Sequence, residues 1–569
     1  DWNNYGIDNR PFSDIKAGTP KEWYEPYGWV VRGTNNGEDF PSILNAYSEL
    51  FEASDVNKPK AIWVKTRKGR GYLKYDNSSH GSPHKKNSKE FWQTKKEFSE
   101  KYNIDFKYID MPPANSEKEN EIQMASTLHS VFTLFNTNDD LLDYLSERLI
   151  ELGESIPIEE NIKKNFTQNP INDDSLYDYK KFPDILFKKP GEVAPNREAF
   201  GKFGSWLNSY IMKKYGRPFV LTCSADLADS TNISGFSKGW DDVKDFGMYN
   251  PRVNPTGTLL PQGITEFANA GIMTGISTVN FAKDPYKEFS GYLTACSTYG
   301  SFSYLKYGAY RLFSQIGQDS QLKIGKTIWV AGHSGPETAE DFRTHFGIFA
   351  PGVTQLFPEG SIINIHPWEY NEVPIMLSAA LNTKAHIIAL HLTRPSIEIP
   401  DRKKLGMASH FESAKGAYII KDYDLEREKE GVVIVRGTSV ISEICKILPQ
   451  IIKNGPNIKI VAALSFALFS KQNNEYKLSI MKNEDWLNSM IITNTSLNNM
   501  SNWIKHDIVR KYSISPDWDN RWRCGGNLEE IIDESHLSSK WQMRKILEFT
   551  TDYKKRINYL NTTIPNIES

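Results

Sequence analysis

Short apolar runs and amphipathic stretches alternate along most of the chain. From 27 to 66, "YGWVVRG" and "KAIWVKT" read as strands flanking "DFPSILNAYSELFEA", whose apolar residues recur at helical spacing. Strand, helix, strand in that order predicts a parallel sheet. Farther on, "PFVLTCS" (218–224), "STVNF" (277–281), "TIWVAG" (327–332), "GSIINIH" (360–366) and "HIIALHL" (386–392) are short apolar runs with helical stretches between them. They predict a second α/β unit, and the last three end in loops bearing His or Arg. Ligands of open α/β sheets bind beyond the carboxyl ends of the strands, where such loops gather. A third unit begins near "GAYIIKDYD" at 416 and continues as "GVVIVRGTSVISEICKILPQIIKNG", a strand, a Gly-Thr-Ser turn and a helix. A turn of that kind can hold an anion at the helix N-terminus, a weak signal because such turns are common in α/β folds.

The rest of the pattern is polar. Residues 84–120 are rich in Lys, Glu and Ser, and helical stretches such as "LLDYLSERLIELGE" alternate with "NFTQNPINDDS". The expected organisation is therefore a domain over 1–110, a linker with a helical insert over 111–192 on the outside of the domains, and domains over 193–412 and 413–569. A chain of 569 residues is long enough for about three cores.

Composition narrows the partners. With 68 Lys and Arg against 70 Asp and Glu, the chain has no general attraction to nucleic acid or an anionic membrane, so an anionic ligand must be held by local groups. No apolar run approaches the ~18–20 residues of a membrane span. The four cysteines, Cys223, Cys296, Cys445 and Cys524, are far apart and form no metal knuckle or disulfide framework. A cytoplasmic protein is expected.

Four stretches carry the candidate chemistry: "KTRKGRGYLKYDNSSHGSP" (65–83), "TCSADLADS" (222–230), "GITEFANAGIMTG" (263–275) and "GHSGPETAEDFRTH" (332–345). In the last, His345 lies twelve residues after His333 and four after Asp341. In this order and spacing the chain resembles the transketolase family over nearly its whole length. That resemblance implies a doubly wound thiamine-diphosphate-binding α/β fold, with the end of a pyrophosphate-binding domain, a pyrimidine-binding domain and a C-terminal α/β domain. It also implies transfer of a two-carbon ketol unit between sugar phosphates in the pentose phosphate pathway, by a homodimer with shared active sites. The cofactors implied are thiamine diphosphate and Mg²⁺ or Ca²⁺.

The resemblance assigns roles residue by residue. Glu266 matches the glutamate that bonds the cofactor's aminopyrimidine, so that the 4′-amino group can take the proton from the thiazolium C2. Capping of the following helix is the alternative for Glu266, since acidic groups suit helix N-termini. Phe302, Tyr304 and Tyr307 in "STYGSFSYLKYGAY" are candidate faces for the pyrimidine ring, with an ordinary aromatic core helix as the alternative. Asp226 resembles a residue that touches the cofactor. By motif position the sugar phosphate falls to Arg197, Ser230, His333 and Arg394, and the sugar hydroxyls to Asp341 and His345. His80 matches a histidine beside the cofactor phosphates and the reacting oxygen.

Two features depart from the family. The opening "DWNNYGID" resembles the second half of a metal motif, with Asn3 as side-chain ligand and Tyr5 as carbonyl ligand, but the Gly-Asp-Gly half is absent. Two carbonyl-type oxygens suit Mg²⁺ poorly without a carboxylate. The missing half is expected upstream in a longer polypeptide, or in a companion N-terminal segment, or lost. The loop "GHSGPETAEDFRTH" also lacks the family's Gly-Glu-Asp-Gly-Pro-Thr-His wording. Alternatives are therefore another thiamine enzyme, of the 2-oxo acid decarboxylase or dehydrogenase or deoxyxylulose-phosphate synthase type, and a catalytically silent subunit. The paired histidines argue against the former.

Overall fold

The computed structural model describes residues 1–6, 10–53, 57–78, 84–85, 88–155, 166 and 168–563. The chain divides into two compact units, Asp1–Pro157 and Ile158–Ser569. In the first, β1 (Val30–Thr34) and β2 (Lys60–Val64) pair in parallel across α1 (Phe40–Glu52), as the periodicity predicts. Asp39 caps α1 by accepting from the Ser42 amide, which satisfies one of its free N–H groups. The polar stretch forms α2 (Lys89–Tyr102), α3 (Glu117–Asn136) and α4 (Asp139–Ser155).

Among the described residues the second unit is built on two main sheets and a short antiparallel pair, β3 (Val193–Pro195) with β10 (Ser396–Glu398). The larger is parallel throughout, in the order β5-β4-β6-β7-β9-β8. Its strands are β4 (Val220–Ser224), β5 (Leu259–Leu260), β6 (Leu293–Tyr299), β7 (Thr327–Gly332), β8 (Ile362–Ile365) and β9 (Ile387–His391). It is preceded by α5 (Asn196–Tyr215) and carries α6 (Glu266–Ile276), α7 (Tyr307–Asp319) and α8 (Glu372–Leu381). The smaller sheet has the order β11-β13-β12-β14: β11 (Ala417–Lys421) is antiparallel to β13 (Ile458–Ala463), and β12 (Gly431–Arg436) is parallel to both β13 and β14 (Ser489–Thr493). Helix α9 (Thr438–Asn454) connects β12 to β13. Buried aliphatic residues of both sheets, such as Ile328, Leu390, Val433 and Ile460, belong to one continuous core. Among the described residues, no helix is long and apolar enough to cross a membrane.

One expected strand is wrong. "STVNF" follows α6 directly as loop, and the strand beside β4 is "LTACSTY" (293–299). The Asn280 side chain organises that loop: its oxygen accepts from the Ala282 and Ser290 amides at 2.9 and 3.0 Å, and its amide donates to the Glu288 and Lys323 carbonyls. The true strand was hidden by its hydroxyls. Thr294 is nevertheless fully buried because it donates to the Met273 carbonyl at 3.0 Å and bonds Ser277 at 2.8 Å.

Close packing brings the strand-end loops together. A Cβ on Gly201 of α5 would lie 2.7 Å from the Asn232 carbonyl, and one on Gly235 would lie 2.2 Å from the Gly201 carbonyl. Only glycine permits this approach, which seats the loop after β4 on the first turns of α5. Buried Asn196 ties the same helix start to the loops after β8 and β9, donating to the Pro367 carbonyl at 2.8 Å and accepting from the Thr393 amide at 2.9 Å.

Candidate active site

The carboxyl ends of β4, β6, β7 and β9 carry Ser230, Tyr299, His333 and Arg394, and α5 adds Arg197 in its first turn. Arg197 donates to the Ser230 carbonyl at 2.8 Å and contacts His333 Nε2, which lies 3.1 Å from the same carbonyl. The Ser230 hydroxyl is 3.1 Å from the Tyr299 hydroxyl. The Tyr299 ring packs on His333, with centroids 4.2 Å apart, and edge-on to His345 at 5.6 Å. Phe302 meets the His345 ring edge-on at 5.3 Å. Arg394 donates to Asp341 at 2.7 Å, with Glu340 at 4.0 Å. Side chains from segments far apart in the sequence thus form one cluster.

The cluster has a definite charge state. His333 is 1% exposed in the left-handed region at φ 56°, strained backbone of the kind found at functional sites. Burial, then the nearby Arg197 charge, pushes its pKa down to about 3, so it is a neutral hydrogen-bonding group and not a cation. Its Nδ1 is buried without a partner. Burial and the neighbouring Arg394 also depress the Arg197 pKa. The positive charge here is that of two arginines, one of them paired with Asp341, an arrangement suited to a doubly charged oxyanion.

A second feature adjoins the first on the same strand. Thr298 and Tyr299 are consecutive on β6, and Thr298 donates to Glu266 Oε1 at 3.0 Å. Glu266 is the first residue of α6 and 7% exposed. A carboxylate has about four acceptor sites, and Thr298 takes one. Beneath it, fully buried Lys306 donates to the Cys296 and Val330 carbonyls at 2.9 Å each. An apolar cavity of about 550 Å³ opens between Phe302, Tyr304, Phe342, Phe349 and Trp522.

The remaining expected residues are placed as follows. Tyr307 does not line that cavity; it donates to the Leu356 carbonyl at 3.2 Å and packs edge-on to Phe357. Asp226 is exposed, at φ 60° in the loop after β4. In the first unit, Asn3 Oδ1 accepts from the Tyr5 amide at 3.1 Å. His80 lies outside the described residues. Among the described residues no group of three or more His, Cys, Asp or Glu could hold a metal. Asn3 and Tyr5 by themselves offer two carbonyl-type oxygens, whereas Mg²⁺ prefers carboxylate and phosphate charge. Tyr299, which touches both histidines, escaped the sequence reading because its strand was placed sixteen residues early, at 277 instead of 293. Recognition of "LTACSTY" as a strand would have put it at a carboxyl end.

Glu337 in the His333 loop supports one prediction. It is fully buried, accepts from the Ser439 hydroxyl through Oε1, and leaves Oε2 without a partner. Burial raises its pKa from 4.5 to about 7. The folded state then holds a proton that the unfolded chain has lost, so stability falls as pH rises from 4.5 to 7 and levels off above. Glu337→Gln removes this dependence. It is expected to be more stable than the parent at pH 8 by up to about 3 kcal/mol, with the difference fading near pH 5, in urea unfolding at both pH values.

Similarity searches agree with this architecture. The parallel sheet with its polar strand-end loops is a thiamine-diphosphate-binding α/β fold. It superposes on transketolase from Campylobacter jejuni with a TM-score of 0.66 at 19% identity, over 96% of this chain and 72% of that one. A Pichia stipitis transketolase complexed with sedoheptulose 7-phosphate gives 0.65 at 20% identity, over 98% and 72%. In sequence and fold the chain is transketolase-like. It is 25% identical to the transketolase of Aquifex aeolicus over 470 residues, 81% of this chain and 57% of that protein. It is 26% identical to transketolase 1 of Saccharomyces cerevisiae over 466 residues, 80% and 59%. The chain thus spans less than two thirds of the length of these relatives. No protein-family model matches it.

Proposed function

We propose that the complete protein transfers a two-carbon ketol unit between sugar phosphates with thiamine diphosphate. The observation that carries this reading is the convergence of Arg197, Ser230, His333 and Arg394 beside Asp341 and His345, one strand residue away from the Glu266–Thr298 pair. When bound, the cofactor supplies an electron sink for the two-carbon unit. Glu266 would accept from its aminopyrimidine and hold the tautomer that takes a proton from the thiazolium. Thr298 orients that carboxylate. Phe302 and Tyr304 would offer the ring an apolar wall, and Asp226 a contact from the loop after β4. Arg197 and Arg394 would grip the substrate phosphate, with the Ser230 hydroxyl and neutral His333 completing its hydrogen bonds. Asp341 and His345 would bond the sugar hydroxyls. Asn3 and Tyr5 would supply only part of a metal's ligand set.

The same reading keeps 1–110 as part of a pyrophosphate-binding domain, 111–192 as linker, 193–412 as the pyrimidine-binding domain and 413–569 as the C-terminal domain. A homodimer is supported by exposed apolar residues of α6 and α7, Phe267, Ile272, Leu312 and Ile316, with open space at Gly271 and Gly275 where a partner helix would fit. A companion N-terminal segment would supply the rest of the metal motif. A reducing, cytoplasmic setting is supported by four free cysteines.

The test is transfer from xylulose 5-phosphate to ribose 5-phosphate by the complete polypeptide with added thiamine diphosphate and Mg²⁺. Activity no higher than that of a Glu266→Ala variant refutes the reading. For the phosphate grip, Arg394→Leu removes one charge-assisted contact of about 1.5–3 kcal/mol. It is expected to raise KM for phosphorylated sugars roughly 10–100-fold, with a smaller change in kcat and little effect on an unphosphorylated ketose.

A further inference from the structure

Among the described residues, the guanidinium of Arg436, the last residue of β12, is a buried cation without a counter-ion. It is 3% exposed, donates to the Asn499 carbonyl at 3.3 Å and Thr495 Oγ1 at 2.7 Å, and leaves its buried Nε–H without a partner. Among the described residues no carboxylate lies within ion-pairing distance of it, whereas buried Arg402 has both Glu369 and Glu372. A buried charge is costly unless paired. Burial accordingly pushes its pKa down to about 9.

Arg436 lines a cavity of about 70 Å³, room for a few waters or one small oxyanion. Asn364, His366, Ser465, Asn499 and Asn502 are also in its wall, which carries no acidic side chain. Asn502 is exposed and stands at the mouth. The Ser465 hydroxyl caps a short helix by accepting from the Leu468 amide at 3.2 Å, which leaves its proton to donate elsewhere. The His366 ring stacks on His391 with centroids 4.3 Å apart, and burial, reinforced by the Arg436 charge, holds both rings neutral.

The position in the fold suits a ligand. The cavity lies at the carboxyl ends of β8, β12 and β13 and is walled by Asn499 and Asn502 after β14; in the order β13-β12-β14 the connections leave β12 to opposite sides, which makes the β12/β14 crevice the kind of switch point where open sheets bind ligands. It is separate from the Arg197 and Arg394 cluster, which sits on β4, β6, β7 and β9.

We propose that Arg436, with His366, Ser465, Asn499 and Asn502, forms a second anion site that takes a small tetrahedral oxyanion of the phosphate type. This does not depend on the function proposed above. The anion would complete the Nε–H hydrogen bond and neutralise the buried guanidinium through the planar fork geometry that suits phosphate.

The test is calorimetric titration of inorganic phosphate into the full chain at constant ionic strength. To silence the other basic cluster, it is done in an Arg197→Leu/Arg394→Leu background. That background is expected to bind phosphate at one site, and adding Arg436→Met to weaken binding at least tenfold, with Arg436→Lys intermediate. Without phosphate, the Met variant should unfold at the same temperature as its background or higher, because a desolvated charge has been removed. If the Met variant does not fold, Asn502→Asp at the exposed mouth serves instead, with several-fold weaker binding expected from like-charge repulsion. The proposal is overturned if the background binds no phosphate, or if a folded Arg436 or Asn502 variant binds it as tightly as the background does.

Discussion

Glu266→Ala is expected to leave the fold intact and to lower ketol transfer by more than ~10²-fold, the scale of a lost acid–base function. Among the described residues the side chain has one side-chain partner, Thr298, and it starts a helix, so structure loses a single hydrogen bond and a favourable charge at the first turn. Those are worth about 1–2 kcal/mol together. Glu266→Gln separates the two roles of the residue. It keeps the shape and the Thr298 hydrogen bond but lacks the negative charge that would hold the aminopyrimidine tautomer, so its kcat should fall nearly as far. Turnover at saturating cofactor, with far-ultraviolet circular dichroism as the fold control, checks both variants. A loss below tenfold would return Glu266 to the role of a helix cap.

Arg402→Leu is expected to destabilise the second unit by about 3–5 kcal/mol at pH 8, the cost of leaving buried carboxylates uncompensated. Arg402 Nη2 donates to Glu369 and Glu372 at 2.8 Å each, and Nη1 donates to the Tyr418 hydroxyl and the Ala408 carbonyl at 3.1 Å each. Tyr418 donates to Glu372 and accepts from Trp368 Nε1, both at 2.7 Å. This network joins the start of α8 to β11, so it pins the two sheets of the unit to one another. Burial already pushes the Glu372 pKa up against the opposing pull of Arg402. Without the arginine, Glu372 loses the charge that opposes its burial and would fold protonated. Its folded pKa would stand above the unfolded one, and the deficit should shrink as pH falls toward the ordinary carboxylate range. Urea midpoints at pH 5 and pH 8 measure this. A loss under 1 kcal/mol at pH 8 would contradict it.

The elements legible in the sequence were those with strong local pattern. β7, β8 and β9 are largely apolar runs, and α9 begins in a Gly-Thr-Ser turn, so each is placed within a residue or two. β6 was not, because Thr, Ser and Cys at its buried positions look polar until their hydroxyls find partners across the sheet. Tyr299 was lost with it. Tyr307, by contrast, looked like its aromatic neighbours and differs only in being committed to Phe357 and Leu356.

By itself the sequence determined the α/β alternation, the twelve-residue and four-residue spacings that tie His333, Asp341 and His345 together, and a glutamate at the head of a small-residue helix. These are local facts, set by side-chain periodicity and by neighbours along the chain. Only the tertiary structure decided that His333 is buried and neutral against Arg197, 136 positions away, and that Tyr299 bridges two histidines. It alone also set buried Arg436, unpaired with any carboxylate among the described residues, beside a polar cavity. Burial and charge pairing depend on which distant segments meet, and a linear pattern does not carry that information.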